Sequence, residues 1–572
     1  MRPQILWFSA AVTWCIMLGI VYMFGTSGTL FYDDIRPLAK LADIDRIFSF
    51  EAAEFVLGET SGPLGRQVAM LSFLPHFGGW PETLSTLLQV NVLIHLINGL
   101  LVFFLTRQLL AFRPPPVALP AWGVATIAAI LWVTLPIHAA TVLIPIQRMA
   151  LLSTTFVLLG LIGYLAGLWM QIRGHNRSTD VQVIAATLGF TLAVLSKENG
   201  ALLVVLLLVI ELTLLGHVTE LRRYRWTRVS LLALASLVIL AYLARRLIND
   251  PIATFPGREF SALERLATQP LVILDYLRQS FLPHWQTINP FQDHWHAIDL
   301  TQWWGIPGIA GLTILFWLVT AIATRRYWPW FAFGSLWFFG AQLLESTTLN
   351  LELAFLHRAY LPLVGLAIFF AVISSYLLQL SQRTRPLIML GMIAYIGLLG
   401  LTLANVTRNW GEPEQAARVW FEARPASSRA TVYLAKQLRE KEDTLAALEI
   451  IERHLNQCPQ CMFSRSWALF FSCQIGNDAK TKEHYKILSE AIPSRMNTGT
   501  VAQNIEVYHG ALIAQQCNPG PEYTAYALLE QLLKTNDDGG NPAAGRALLF
   551  RLGRLYIIDG DVEKGMEIFS RL

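Results

Sequence analysis

For the first four hundred positions, apolar residues neither alternate nor keep to one stripe. They run on almost unbroken, in blocks about as long as a bilayer is thick. A membrane-crossing helix needs roughly 20 predominantly apolar residues. About eleven blocks meet or approach that length. They lie near 5–30, 88–110, 121–144, 149–170, 181–196, 199–216, 229–246, 302–323, 328–346, 359–380 and 387–406. The fifth and sixth are short and meet at Ser196-Lys197-Glu198-Asn199. The first block is long and no small-residue cleavage site follows it, so it reads as a span and not a signal peptide.

Beyond Asn405 the pattern changes: charge rises, Lys becomes frequent, and apolar positions recur at helical spacing. "VYLAKQLREKEDTLAALEII" places Leu434, Ala435, Leu438, Ala447 and Ile451 at small and large packing positions. "FRLGRLYIIDGDVEKGMEIF" does the same with Leu552, Gly553, Tyr556, Gly565 and Phe569. This doubled spacing resembles tetratricopeptide (TPR) repeats, which stack as an α-solenoid with a concave face suited to a polypeptide. The chain is therefore expected to be all-α. A polytopic membrane domain at 1–406, with long outer loops at 31–86 and 247–301, precedes a soluble TPR-like domain at 407–572.

Composition agrees: 54% of the 572 residues are hydrophobic and 15% charged, against about a quarter charged in a soluble domain. A net charge of +4 is too small to argue for a nucleic-acid partner. The placement of charge says more. Arg107 and Arg113, Arg173 and Arg177, Arg222 to Arg228, Arg325 and Arg326, and Arg383 and Arg385 fall between alternate spans. By the positive-inside rule those loops are cytoplasmic, and both long loops and the tail face outward. Four of five cysteines, Cys458, Cys461, Cys473 and Cys517, lie in that tail. In an oxidising compartment they allow two disulfides, in any of three pairings.

Candidate chemistry gathers at the outer ends of the spans. In "FYDDIRPL" one carboxylate would suffice to end a helix, yet Asp33 and Asp34 stand together. Two adjacent carboxylates repel, so one can be raised in pKa while the other stays ionised as a base. Asn91, His95 and Asn98 share one helical face, a pattern of interhelical hydrogen bonding. His138 and Arg148 flank a Pro-broken segment, Lys197 and Glu198 interrupt an apolar stretch, and His357 and Arg358 open a later span. Arg66 stands in the first outer loop. Asp293 and His294, in "LPHWQTINPFQDHW" of the second, are further pocket candidates. Cations kept where the inside bias disfavours them are candidates to bind an anion, such as a lipid phosphate.

Taken in order, "FYDDIRPL", "GRQVAMLSF", "NVLIHLINGLL", "LPIHAATVLIPIQRMALLS", "SKENGALL", "LPHWQTINPFQDHW" and "HRAYLPLVG", followed by the repeats, resemble the GT-C glycosyltransferase superfamily. The chain is most similar to its TPR-containing members, the transmembrane O-mannosyltransferases and bacterial pilin arabinofuranosyltransferases. Gln147-Arg148 departs from the Gly-Arg more frequent in the eukaryotic relatives. The resemblance implies a GT-C fold, a polyprenyl-phosphate sugar as donor and no nucleotide-sugar fold; with cations clustered at the leaving phosphate, no cofactor or divalent metal is expected. It implies an inverting transfer to Ser/Thr hydroxyls of a secreted or membrane protein, a pilin being one candidate. Asp33 would be the base, with Asp34 orienting it or the acceptor. Arg66, Arg148, Lys197 and Arg358, with His138 and His357, would bind the donor phosphate; Glu198, Asn91 and His95 would complete the pocket. The location implied is a bacterial inner membrane with the site facing the periplasm, the endoplasmic reticulum being the alternative. Rival readings are a transferase acting on a lipid or glycan, an O-antigen-ligase-like enzyme with an oligosaccharide donor, and a non-catalytic transporter.

Overall fold

A computed structural model describes residues 3–58, 62, 64–116, 118–255, 258, 260–491, 498–539 and 542–572. Every regular element among them is a helix, and the one β-type pairing is an isolated bridge between Thr254 and Ser261. The chain divides into two compact units. The first holds residues 1–250, 265–290 and 298–413; the second holds 251–264, 291–297 and 414–572. Two short pieces of the segment 247–301 thus belong with the tail.

Among the described residues, seven helices of the first unit are long and apolar enough to cross a membrane, or eight if one bent pair counts as a span. The seven are Gln4–Met23, Leu84–Phe112, Pro145–Ile172, Thr219–Asn249, Ile306–Thr324, Pro362–Leu380 and Arg385–Gly411. The bent pair, Ala121–Thr134 and Pro136–Val142, turns through 53°. Pro136 supplies no amide to the helix before it, so the hydrogen-bond ladder stops there. The remaining three apolar runs form shorter helices: Ser178–Val194, Leu203–Thr213 and Pro329–Gly340, of 17, 11 and 12 residues.

Bare backbone at a break is costly in an apolar medium unless something covers it. At the next break, between Val142 and Pro145, Asn91 does so: its amide nitrogen lies 3.3–3.5 Å from the carbonyls of Val142, Ile144 and Pro145. His95 and Asn98, one and two turns further along that helix, reach the Tyr360 hydroxyl at 2.8 and 3.3 Å. These three polar side chains therefore join helices.

Glycine sets the approach of helix Arg148–Ile172 to Ser178–Val194. A Cβ on Gly189 would stand 2.6 Å from the Gly160 Cα, so no larger residue fits without separating the pair. This contact fixes Lys197, just past the end of the second helix, beside the beginning of the first.

The second unit consists of helical hairpins around a core that includes Ala435, Ala447, Trp467, Phe471, Tyr508 and Leu552. In its last hairpin, Pro542–Ile558 against Val562–Phe569, a Cβ on Gly565 would lie 3.0 Å from the Gly553 carbonyl. The helices cross at these two glycines. Disulfides join Cys458 to Cys461 and Cys473 to Cys517; Cys15, in the first span, is free and buried.

Candidate functional site

Asp33 and Asp34 take opposite positions. Asp33 is exposed, in the first turn of helix Tyr32–Ala39, where a carboxylate favours the positive end of the helix dipole. Asp34 is fully buried, and both of its oxygens are occupied. Oδ2 accepts from the Phe31 amide at 2.7 Å, and Oδ1 accepts from the Ile146 amide at 2.7 Å, 112 residues away. Burial pushes the Asp34 carboxyl up to about 8, against the two amide bonds, which pull it down. Asp34 is thus a clamp between the loop after the first long helix and the break that precedes helix Arg148–Ile172.

The same break organises the basic residues. Arg148 is wholly buried and turned inward. It donates at 2.7 Å to Asn91 Oδ1, to the Ser72 carbonyl and to the Leu87 carbonyl, with His76 Nε2 at 3.4 Å. Its guanidinium also lies over the Phe73 ring. Burial first, and then the Arg148 charge, brings His76 down to about 4, so a neutral ring faces the guanidinium. One residue on, the Met149 sulfur meets Arg66 at 2.9 Å. Ile146 and Met149 are three residues apart, about 5 Å along a helix, so the Asp34 clamp and Arg66 meet adjoining stretches of one segment.

Arg66 has φ 54° and follows Gly65 at φ 81°. The left-handed pair turns the loop so that the guanidinium forks onto Glu198, with three N···O distances of 3.0–3.2 Å. Gly62 lies against this pair: a Cβ there would overlap the Glu198 carboxylate. Next to Glu198, Lys197 pairs with Glu345 at 2.7 Å, both side chains about nine-tenths buried. Arg265 holds the chain after Glu345, donating to the carbonyls of Glu345 and Leu351 at 2.7 and 3.1 Å and also to that of Thr347. Arg358 donates to the carbonyls of Glu352 and Leu353 and lies over the Phe355 ring. His357 stacks on the same ring. Burial, followed by the charges of Lys197, Arg358 and Arg66, keeps His357 well below its ordinary value, hence neutral.

Those same three cations act on Glu345. They form one electrostatic group with two carboxylates, Glu198 and Glu345, leaving one unit of positive charge in excess. Such a group, part-buried at the helix ends, suits an anion with several oxygens. Helix polarity places it together. Arg66 and Asp34 precede the helix that begins at Arg148, Lys197 follows its antiparallel neighbour, and Arg358 precedes the span beginning at Pro362. That end of the unit is opposite to the Arg-rich loops.

Other expected pocket residues lie elsewhere. His138 is buried in an aromatic cluster with Trp132, His95 and Tyr360, its Nε2 without a hydrogen-bond partner. Asn91 and His95 are spent on helix joining, as described above. Asp293 and His294 belong to the second unit, where Asp293 accepts from the Ser427 hydroxyl and the Arg429 amide at the start of helix Ser428–Glu440. Glu345 and Arg265 did not stand out in the sequence. A carboxylate closing the apolar run 328–346 was the available signal for Glu345. Comparison of the chain with protein-family models, curated proteins and solved structures gave no match.

Proposed function

We propose that this protein is a membrane glycosyltransferase of the GT-C type, moving a sugar from a polyprenyl-phosphate donor to Ser/Thr hydroxyls of a secreted or membrane protein. The observation that carries the reading is that an open carboxylate, Asp33, and a net positive group of Arg66, Lys197 and Arg358 lie at the same end of the unit. Asp33 takes the acceptor proton, the oxygen attacks the anomeric carbon with inversion, and the polyprenyl phosphate departs toward the cations. Asp34 orients by holding the loop, and Arg148 holds the broken segment beneath it. Positioning both substrates at one membrane surface supplies proximity, and fixed cations stabilise the leaving phosphate. An apolar groove of about 390 Å³, lined by Leu131, Phe281, Phe370 and Ile396 among others, supports a lipid-linked donor.

In the same reading all eleven apolar segments enter the bilayer, the N-terminus and the Arg-rich loops are cytoplasmic, and the membrane is a bacterial inner membrane. The hairpins of the second unit act as a TPR-like solenoid that gathers the protein acceptor, a pilin being one candidate. The test is sugar transfer by purified Asp33→Asn with donor binding measured in parallel. Transfer should fall about 10²–10⁴-fold with binding retained. Near wild-type turnover would remove the mechanism.

A further inference from the structure

At the Arg-rich end of the first unit, opposite the group described above, a second cavity opens between three helices. It measures about 410 Å³ and lies between Arg148–Ile172, Ser178–Val194 and Arg222–Asn249. Its lining follows helical register on two of them: Thr179, Gln182, Val183, Ala186 and Thr187 on one, Tyr224, Thr227, Arg228, Leu231 and Leu232 on the other. Each set spans nine residues, about 12 Å of rise. Along both helices the lining changes in the same direction. Thr179, Gln182, Tyr224, Thr227 and Arg228 come first, then Val183, Ala186, Leu231 and Leu232, with Thr187 the one hydroxyl at the far end. The cavity is polar near the helix starts and mainly apolar deeper in.

The polar end holds a buried ion pair. Glu211 is fully buried and accepts from Arg228 Nε at 2.6 Å and from the Tyr164 hydroxyl at 2.7 Å. The pair is neutral, and it leaves the Arg228 terminal nitrogen Nη1 buried with no acceptor; Arg225 Nε nearby is in the same condition. Around this mouth the sequence supplies Arg173, Arg177, Arg222, Arg223, Arg225 and Arg228 against Asp180, Glu211 and Glu220. Positive charge is in excess, and a buried guanidinium N–H with no acceptor is costly.

We infer that this cavity is a binding site for an anionic phospholipid of the leaflet on the Arg-rich side. The phosphate sits at the end lined by Thr179, Gln182 and Arg228, where positive charge is in excess, and an acyl chain runs along Val183, Ala186, Leu231 and Leu232. The order of the lining argues for a lipid over a free anion, because a small anion has no use for the apolar half. Basic pockets between membrane helices take such headgroups. The inference is independent of the transferase reading, since it concerns the other end of the unit.

The experiment uses the full-length protein, delipidated in detergent and titrated with dioleoylphosphatidylglycerol, dioleoylphosphatidylcholine or inorganic phosphate, with bound lipid counted by native mass spectrometry. Phosphatidylglycerol should bind at least about tenfold more tightly than phosphatidylcholine, each rim arginine contributing about fivefold. Ala186→Trp fills the apolar half without altering charge and should abolish that preference; Leu188→Trp, exposed on the same helix outside the cavity, should retain it. Should Ala186→Trp fail to fold, Arg223→Gln/Arg225→Gln at the rim should lower phosphatidylglycerol affinity by more than about tenfold. Equal binding of the two lipids, unchanged binding in Ala186→Trp or in the arginine variant, or equal loss in Leu188→Trp would overturn the site. Displacement of phosphatidylglycerol by millimolar inorganic phosphate would overturn the lipid assignment.

Discussion

Replacing Asp34 by Ala should loosen the loop after the first long helix without touching an exposed group. The substitution strips the acceptor from two amides, Phe31 N and Ile146 N, both within 2.7 Å of the carboxyl. A buried donor left unsatisfied costs about 1–3 kcal/mol. Two such donors cost about 2–6 kcal/mol, reduced by whatever the buried carboxyl itself costs. That cost depends on pH. With Asp34 held up to about 8 in the fold and near 4 in the unfolded chain, the folded state keeps a proton that the unfolded state has lost. The contribution of Asp34 is therefore fully present below pH 4 and declines as pH rises through 8. Thermal unfolding in detergent, followed by tryptophan fluorescence at pH 5.5, should show Asp34→Ala destabilised. Hydrogen exchange at Phe31 and Ile146 should lose protection. In Asp34→Asn, which carries no titrating group, the fall in stability between pH 5 and 8 should be shallower than in wild type. If Asp34→Ala kept its melting point and its amide protection yet lost sugar transfer as fully as Asp33→Asn, Asp34 would be chemical and the clamp would be wrong.

Lys197→Met should destabilise by about 3–5 kcal/mol, because it strands the buried Glu345. Lys197→Met/Glu345→Met should recover most of that stability in thermal unfolding but none of the sugar transfer, if Lys197 meets the donor phosphate. Arg148→Lys cannot reproduce the forked contacts to Asn91, Ser72 and Leu87. It should lower the melting point and hinder donor binding only indirectly, which Tm and donor titration would separate. Reduction of the tail should act mainly through Cys473–Cys517, whose cysteines are 44 residues apart, against 3 for Cys458–Cys461. Loop-closure entropy gives about 4 and about 2 kcal/mol respectively, so Cys473→Ser/Cys517→Ser should shift the unfolding midpoint of the full chain more than Cys458→Ser/Cys461→Ser. Reporter fusions after Arg225 and after Arg408 should read opposite sides of the membrane; the same side for both would refute the proposed topology.

Apolar run length and helical spacing determined the helices. Ten of the eleven runs became a helix at nearly the expected place and the run 121–144 a bent pair, because the demand for about 20 apolar residues is local and readable from a short window. The helical-hairpin texture of the tail was legible for the same reason, as was the gathering of Arg66, Lys197 and Arg358 at one end, which follows from helix alternation alone. What three of the runs lacked was length. Pro329–Gly340 stops at 12 residues because the chain turns into the segment that Arg265 holds. Which aspartate is open, by contrast, could not be read from "FYDDIRPL". The partner that buries Asp34 is an amide 112 residues away. Likewise Arg148 looked like an outward cation until Asn91 and two loop carbonyls took its donors, and Lys197 found its carboxylate at position 345. The disulfide pairing and the membership of Asp293 in the second unit were equally closed to the sequence. A side chain's hydrophobicity acts wherever it stands, but a charge or hydrogen bond takes its meaning from the group it faces, and only the folded chain decides which group that is.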